Sequence, residues 1–128
     1  MFEAIQAVAD APTPVKWAVA GAAVLVIEHV IALATPPYGL HVPFFFHLSF
    51  GALYAWLGVE VGNGQGWAAI TLSALLATQL IGRIFVWRAE DRSYAMLVKA
   101  LLATGAAITV AVLALLWIPD SARAYLIG

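Results

Sequence analysis

Glu28, His29, His47, Arg83 and Lys99 stand inside runs apolar enough to lie in lipid. An ionisable group there costs about 2.5–3.5 kcal/mol on insertion scales, and more when nothing pairs with it. Glu28 is the costliest, because its short side chain cannot reach the headgroups as a long cation can. It must pair, take up a proton or face water. Arg83 is the natural partner, since a guanidinium stays charged and can meet a carboxylate with two hydrogen bonds. Lys99 is the second choice.

Several chemistries use these residue types. Imidazole and carboxylate are ligands for zinc, iron or manganese, so His29, His47 and Glu28 form a candidate set for a divalent metal. Glu28 and His29 are adjacent, about 100° apart around a helix, and cannot chelate as an i, i+4 pair does. No HExxH, ExxH or CxxC occurs, so such a site has to be built across helices. His29 and His47 as two axial haem ligands is a weaker variant, because helices rich in small residues pack too closely to admit a porphyrin.

Buried Glu and His also mark proton and ion pathways. The half of the bundle away from these groups offers only Tyr54, Thr71, Ser73, Thr104 and Thr109 to continue such a path. An enzyme acting on a lipid-soluble substrate would use Glu28 or His47 as base, with Arg83 and Lys99 holding an anionic head group. No nucleophile motif accompanies them. Gly62-Asn63-Gly64-Gln65-Gly66 lacks the Lys-Ser/Thr of a phosphate loop. The plainest alternative is an accessory subunit that docks through small residues and through Phe44, Phe45 and Phe46. In that case the polar layer only fixes helix register.

Structural roles compete residue by residue. Arg83 and Lys99 can snorkel to the surface. His47 and His29 can be satisfied by a carbonyl, or His47 by Ser49. His41 belongs to a turn beside water, and Glu60 to the opposite end of its span. Thr78 and Gln79 lie about one turn deeper than Arg83 and either extend the polar group or bond between helices.

The elements that position these groups follow from composition. The chain has 128 residues, 64% hydrophobic and 10% charged, with a mean hydropathy of +0.96. A soluble domain carries about 25% charged residues, so this chain cannot cover a water-facing surface. The net charge of −1 gives nucleic acid no basic face, and zero cysteines exclude disulfides and thiolate sites. The first residues, MFEAIQAVADAPTP, hold Glu3 and Asp10 and no basic residue, unlike a signal peptide. Phe2, Ile5 and Val8 would share one face of a short interfacial helix there.

A spanning helix needs about 20 apolar residues. Four segments qualify, at about 15–35, 43–61, 67–87 and 95–117. Pro36-Pro37 with Gly39 breaks the first from the second, the glycine-rich turn at 62–66 the second from the third, and the charged stretch 88–93 the third from the fourth. Pro119-Asp120 ends the last. Trp17, Trp67, Trp87 and Trp117 sit at span ends, where an indole prefers the interface, and Trp56 is the exception. Small residues recur at helical spacing in each span: Ala18 and Ala22; Gly51, Ala55 and Gly58; Ala74, Thr78 and Gly82; Ala100, Ala103, Ala107, Ala111 and Ala114.

The expected fold is therefore all-α: a polytopic membrane protein with an up-down bundle of four transmembrane helices in one domain. Arg83, Arg88, Arg92 and Lys99 flank one side against Lys16 and Arg123 on the other, which places both termini outside, in the cell's inner membrane. Counting from the turns, Glu28, His29, His47, Arg83 and Lys99 then fall in one layer, roughly 6–10 Å inside the span ends near the cytoplasmic leaflet. The expected function is binding of an ion, a small solute or a lipid head group at that layer. Membrane lipids are the surrounding partners, with a homo-oligomer or larger membrane complex as the working unit. Transport is the associated process, and a membrane-embedded enzyme is the alternative.

Overall fold

The computed structural model describes residues 2–34, 44–89 and 95–128. The Pro36-Pro37 turn with His41, and the charged stretch from Glu90 through Asp91, Arg92 and Ser93, lie outside the described residues. Among the described residues six helices follow one another: α1 (Phe2–Asp10), α2 (Thr13–Ala34), α3 (Phe44–Gly62), α4 (Gly66–Ala89), α5 (Ala95–Trp117) and α6 (Asp120–Ile127). There is no strand among the described residues.

Among the described residues three helices are long and apolar enough to cross a membrane: Thr13–Ile31 within α2, Gly66–Arg88 within α4 and Lys99–Trp117 within α5. Large apolar side chains such as Ile27, Val30, Phe45, Phe85, Met96 and Val110 point outward. An outer surface of this kind suits lipid and not water, and with the three apolar helices it suggests a membrane protein.

Helix α2 packs against α3 and α5, and α4 packs against the same two helices. The interior between them holds Val15, Leu25, Leu57, Val61, Leu72, Leu76, Val112 and Leu116, all fully buried. In lipid this interior contributes through close van der Waals packing and not through removal from water.

The small residues explain only part of that packing. Gly58 faces Ala22, whose Cβ lies 3.6 Å from where a Cβ on residue 58 would stand, and Gly51 similarly faces His29 at 3.8 Å. The α2–α3 contact thus uses the expected series. Those of α4 and α5 do not pack inward: Ala74, Thr78, Gly82, Ala100, Ala103, Ala107 and Ala111 are exposed. Helix α5 turns Leu102, Gly105, Thr109, Val112 and Leu116 inward instead. Helical spacing defines a face, but α5 carries small residues on two faces, and their periodicity does not say which is buried.

Both short helices cap the end that carries the 62–66 turn. Helix α1 packs on α3, with Val8 directly against Gly62. Helix α6 has no counterpart in the sequence reading. Pro119, extended at φ −69° and ψ 136°, stops α5 and precedes the new helix. Tyr125 of α6 donates its hydroxyl to the Gly62 carbonyl at 2.7 Å, satisfying an acceptor left over at the end of α3. Gly64 has φ +82°, which favours glycine, and the Tyr125 ring lies beside it. Trp117 donates its indole N–H to Ser73 Oγ at 2.8 Å and ties α5 to α4.

Candidate functional site

Glu28 and His29 lie in the last two turns of α2, His47 in the first turn of α3 and Arg83 in the last two turns of α4. Arg83 Nη2 donates to Glu28 Oε1 at 2.6 Å. The long arginine side chain crosses from α4 to α2, two helices that share far less backbone contact than either makes with α3 or α5. The pair rests on Gly105 of α5. A Cβ at that position would overlap both Glu28 Oε2 and the Arg83 guanidinium. The ion pair therefore lies directly on bare α5 backbone.

Beside the pair, His29 Nδ1 faces His47 Nδ1 at 3.3 Å, with the ring centroids 5.6 Å apart. The rings of Tyr54 and Phe50 flank His29 at 5.4 Å and 6.5 Å. The histidines are 5% and 3% exposed, Arg83 7% and Glu28 9%, so all four are withdrawn into the protein. A hydrogen bond between two neutral imidazoles has a consequence for their outer nitrogens. The ring that donates from Nδ1 has a bare Nε2, and the ring that accepts carries its proton on Nε2. His29 Nε2 is thus an acceptor when His29 donates to His47 and a donor when it accepts from it.

A cavity of about 260 Å³ adjoins these groups, lined by His29, His47, Arg83, Thr78, Gln79, Gly82, Phe46, Phe50, Val86 and Leu102. Its edge residues Phe46, Thr78 and Gly82 are exposed, and a Cβ on Gly82 would meet nothing within 4 Å. The cavity consequently opens sideways between α3 and α4. Glu28 is absent from its wall and stands behind Arg83. Buried without a hydrogen-bond partner among the described residues are Glu28 Oε2, His29 Nε2, and Arg83 Nε and Nη1. Such groups carry a desolvation cost until something satisfies them.

Four of the five expected site residues come together here, and Lys99 stands apart. Its ammonium lies over the Trp87 ring, 5.2 Å from the centroid, a cation–π arrangement. The α5 position at the ion pair is Gly105, six residues further along, or about 9 Å deeper on the helix. Nothing in the residue's chemistry announced it. The one available signal was a glycine inside an otherwise alanine- and leucine-rich span, which costs about 1 kcal/mol of helix propensity and asks for a reason.

As for metal, no group of three candidate ligands assembles among the described residues. Glu28 is turned to Arg83, which leaves His29 and His47 as a two-nitrogen set. Nitrogens 3.3 Å apart suit a hydrogen bond, and suit equally two imidazoles on one tetrahedral ion. The gap between these rings is too narrow for a porphyrin.

Towards the glycine turn, Leu25, Leu57, Leu72 and Leu76 close the interior. The hydroxyls of Thr71, Ser73, Thr104 and Thr109 donate to carbonyls of their own helices at 2.7–2.8 Å. These four hydroxyls are tied to their own backbones.

Comparison with known protein families, with curated proteins and with solved structures gives no match. Fold and site together define an all-helical membrane protein with a buried ion pair and a pocket open to its flank, and function has to be argued from that site.

Proposed function

We propose that the protein binds the polar end of a lipid-soluble molecule, or a lipid head group, in the cavity between α3 and α4. The observation that carries this reading is a wall of buried polar groups beside a sideways opening. Water-soluble ligands need a route to water, whereas a molecule dissolved in lipid reaches such an opening along the membrane plane. Apolar walls with a few convergent polar groups are the usual composition of a small-molecule site.

In this reading α3 is the fourth span. Its 19 residues reach about 28 Å at 1.5 Å per residue, close to the hydrocarbon thickness. Helices α2 to α5 form the up-down bundle of a multi-pass inner-membrane protein with both termini outside. The outward alanine face of α5 supports assembly as a homo-oligomer or as a subunit of a membrane complex.

The closed leucine interior favours the enzyme alternative over transport, since a transporter needs a polar route to the far side. The group beside the substrate would then be His29 or His47 and not Glu28, which lies off the cavity wall.

The test is extraction of the full-length protein in lipid nanodiscs, followed by mass spectrometry of co-purifying lipid-soluble molecules. A bound species retained by the wild type and lost in His29→Ala/Gln79→Ala is the expected result. The same lipid profile in a folded double mutant would remove the cavity as the binding site.

A further inference from the structure

We infer that the cavity selects an uncharged oxygen head, a hydroxyl or carbonyl on a lipid-soluble body, and that Glu28 makes that selection from behind Arg83. The inference rests on the cavity being a ligand site, and it adds the class of ligand.

Charge decides first. Arg83 is on the cavity wall and nine-tenths buried, with Nε and Nη1 without a partner among the described residues. Its charge is already balanced by Glu28 at 2.6 Å. Any charged head entering this site gives up its hydration and meets no net opposite charge. An anion would compete with a carboxylate fixed in place, and a cation would face the guanidinium. An uncharged oxygen loses the least on entering.

Hydrogen bonding points the same way. The wall offers donors from Arg83 and from the Gln79 amide, and an acceptor in Gln79 Oε1; His29 Nε2 adds one donor or one acceptor according to its tautomer. His29 Nε2 is buried and unpartnered among the described residues. A hydroxyl uses both kinds of group, and a carbonyl uses the donors. Phe46, Phe50, Val86 and Leu102 complete the wall with apolar surface for the body of the ligand, and the gap at Gly82 leads its remainder out to lipid.

The experiment uses full-length protein in zwitterionic nanodiscs and three probes with one chain and different heads: hexadecanol, hexadecyl phosphate and hexadecyltrimethylammonium. Binding is read by native mass spectrometry. The wild type is expected to prefer the alcohol over both ions by at least about tenfold. Glu28→Gln keeps an acceptor for Arg83 but removes the negative charge. It is expected to reverse the order of alcohol and phosphate. Gln79→Leu leaves the ion pair intact and is expected to weaken the alcohol several-fold, which keeps the idea testable if Glu28→Gln does not fold. A wild type that prefers the phosphate, or a folded Glu28→Gln with an unchanged order, would overturn the inference while leaving a ligand site in place. No binding of any probe by the wild type would overturn the ligand site as well.

Discussion

The Glu28 carboxylate of α2 occupies the space where a side chain on residue 105 of α5 would begin. Glycine at 105 is therefore a condition for the Glu28–Arg83 pair and not a general aid to helix packing. Gly105→Ala forces the carboxylate and the guanidinium away from α5. We expect a loss of about 2–4 kcal/mol, combining overpacking with a strained buried ion pair. Equilibrium unfolding in mixed micelles measures it. A change within ~0.5 kcal/mol would mean that the pair can sit elsewhere.

Removing one partner of the pair should cost more than removing both. Glu28→Ala leaves the Arg83 charge buried and is expected to destabilise by about 3–5 kcal/mol. Arg83→Met strands the carboxylate and should cost a similar amount. The double variant has no stranded charge, so its loss should fall well short of the sum, by at least about 1 kcal/mol. A double-mutant cycle of unfolding free energies reads this directly. Additive losses would show that each residue acts through separate contacts.

The convergence of Glu28, His29, His47 and Arg83 was legible because it follows from counting. The helix breaks expected from Pro36-Pro37 and from the charged stretch bound each helix in the sequence, and a fixed rise per residue sets the depth of each position. The same count pointed to Lys99 on the last span and missed Gly105. Counting places a position on a helix and not the end of a long side chain, and the Lys99 ammonium lies over the Trp87 ring of α4. The small-residue series of α4 and α5 face outward in the single chain, and the sequence does not say what meets them. Periodicity cannot distinguish an alanine face that packs from one that meets lipid. Helix α6 was overlooked because DSARAYLI has little apolar bias, and its docking depends on contacts distant in sequence, such as Tyr125 to Gly62.

The Tyr125 hydroxyl is expected to hold α6 against the glycine turn. Tyr125→Phe removes one hydrogen bond and leaves the Gly62 carbonyl without its partner. The expected cost is about 1 kcal/mol, confined to this end of the molecule. Hydrogen exchange should accelerate in residues 120–127 and around the 62–66 turn, while amides of α2 and α5 near Glu28 and Gly105 keep their protection. Equal acceleration throughout would show that α6 unfolds only with the whole protein.

Gly82 separates the role of the cavity from the stability of the fold. A Cβ there meets no atom within 4 Å, so Gly82→Ala should be neutral or stabilising by up to ~1 kcal/mol through helix propensity. Gly82→Leu puts a branched side chain across the gap beside Phe46. Its stability should stay within ~1 kcal/mol of the wild type, since residue 82 is exposed and its Cβ enters open space. Uptake of the hexadecanol probe, however, should fall sharply in Gly82→Leu and little in Gly82→Ala. Unfolding in micelles and native mass spectrometry on the same two variants provide both readings. If Gly82→Leu bound the alcohol as the wild type does, the gap between α3 and α4 would not be the way in, and access would have to lie along the groove between α4 and α5, which Arg83 also lines.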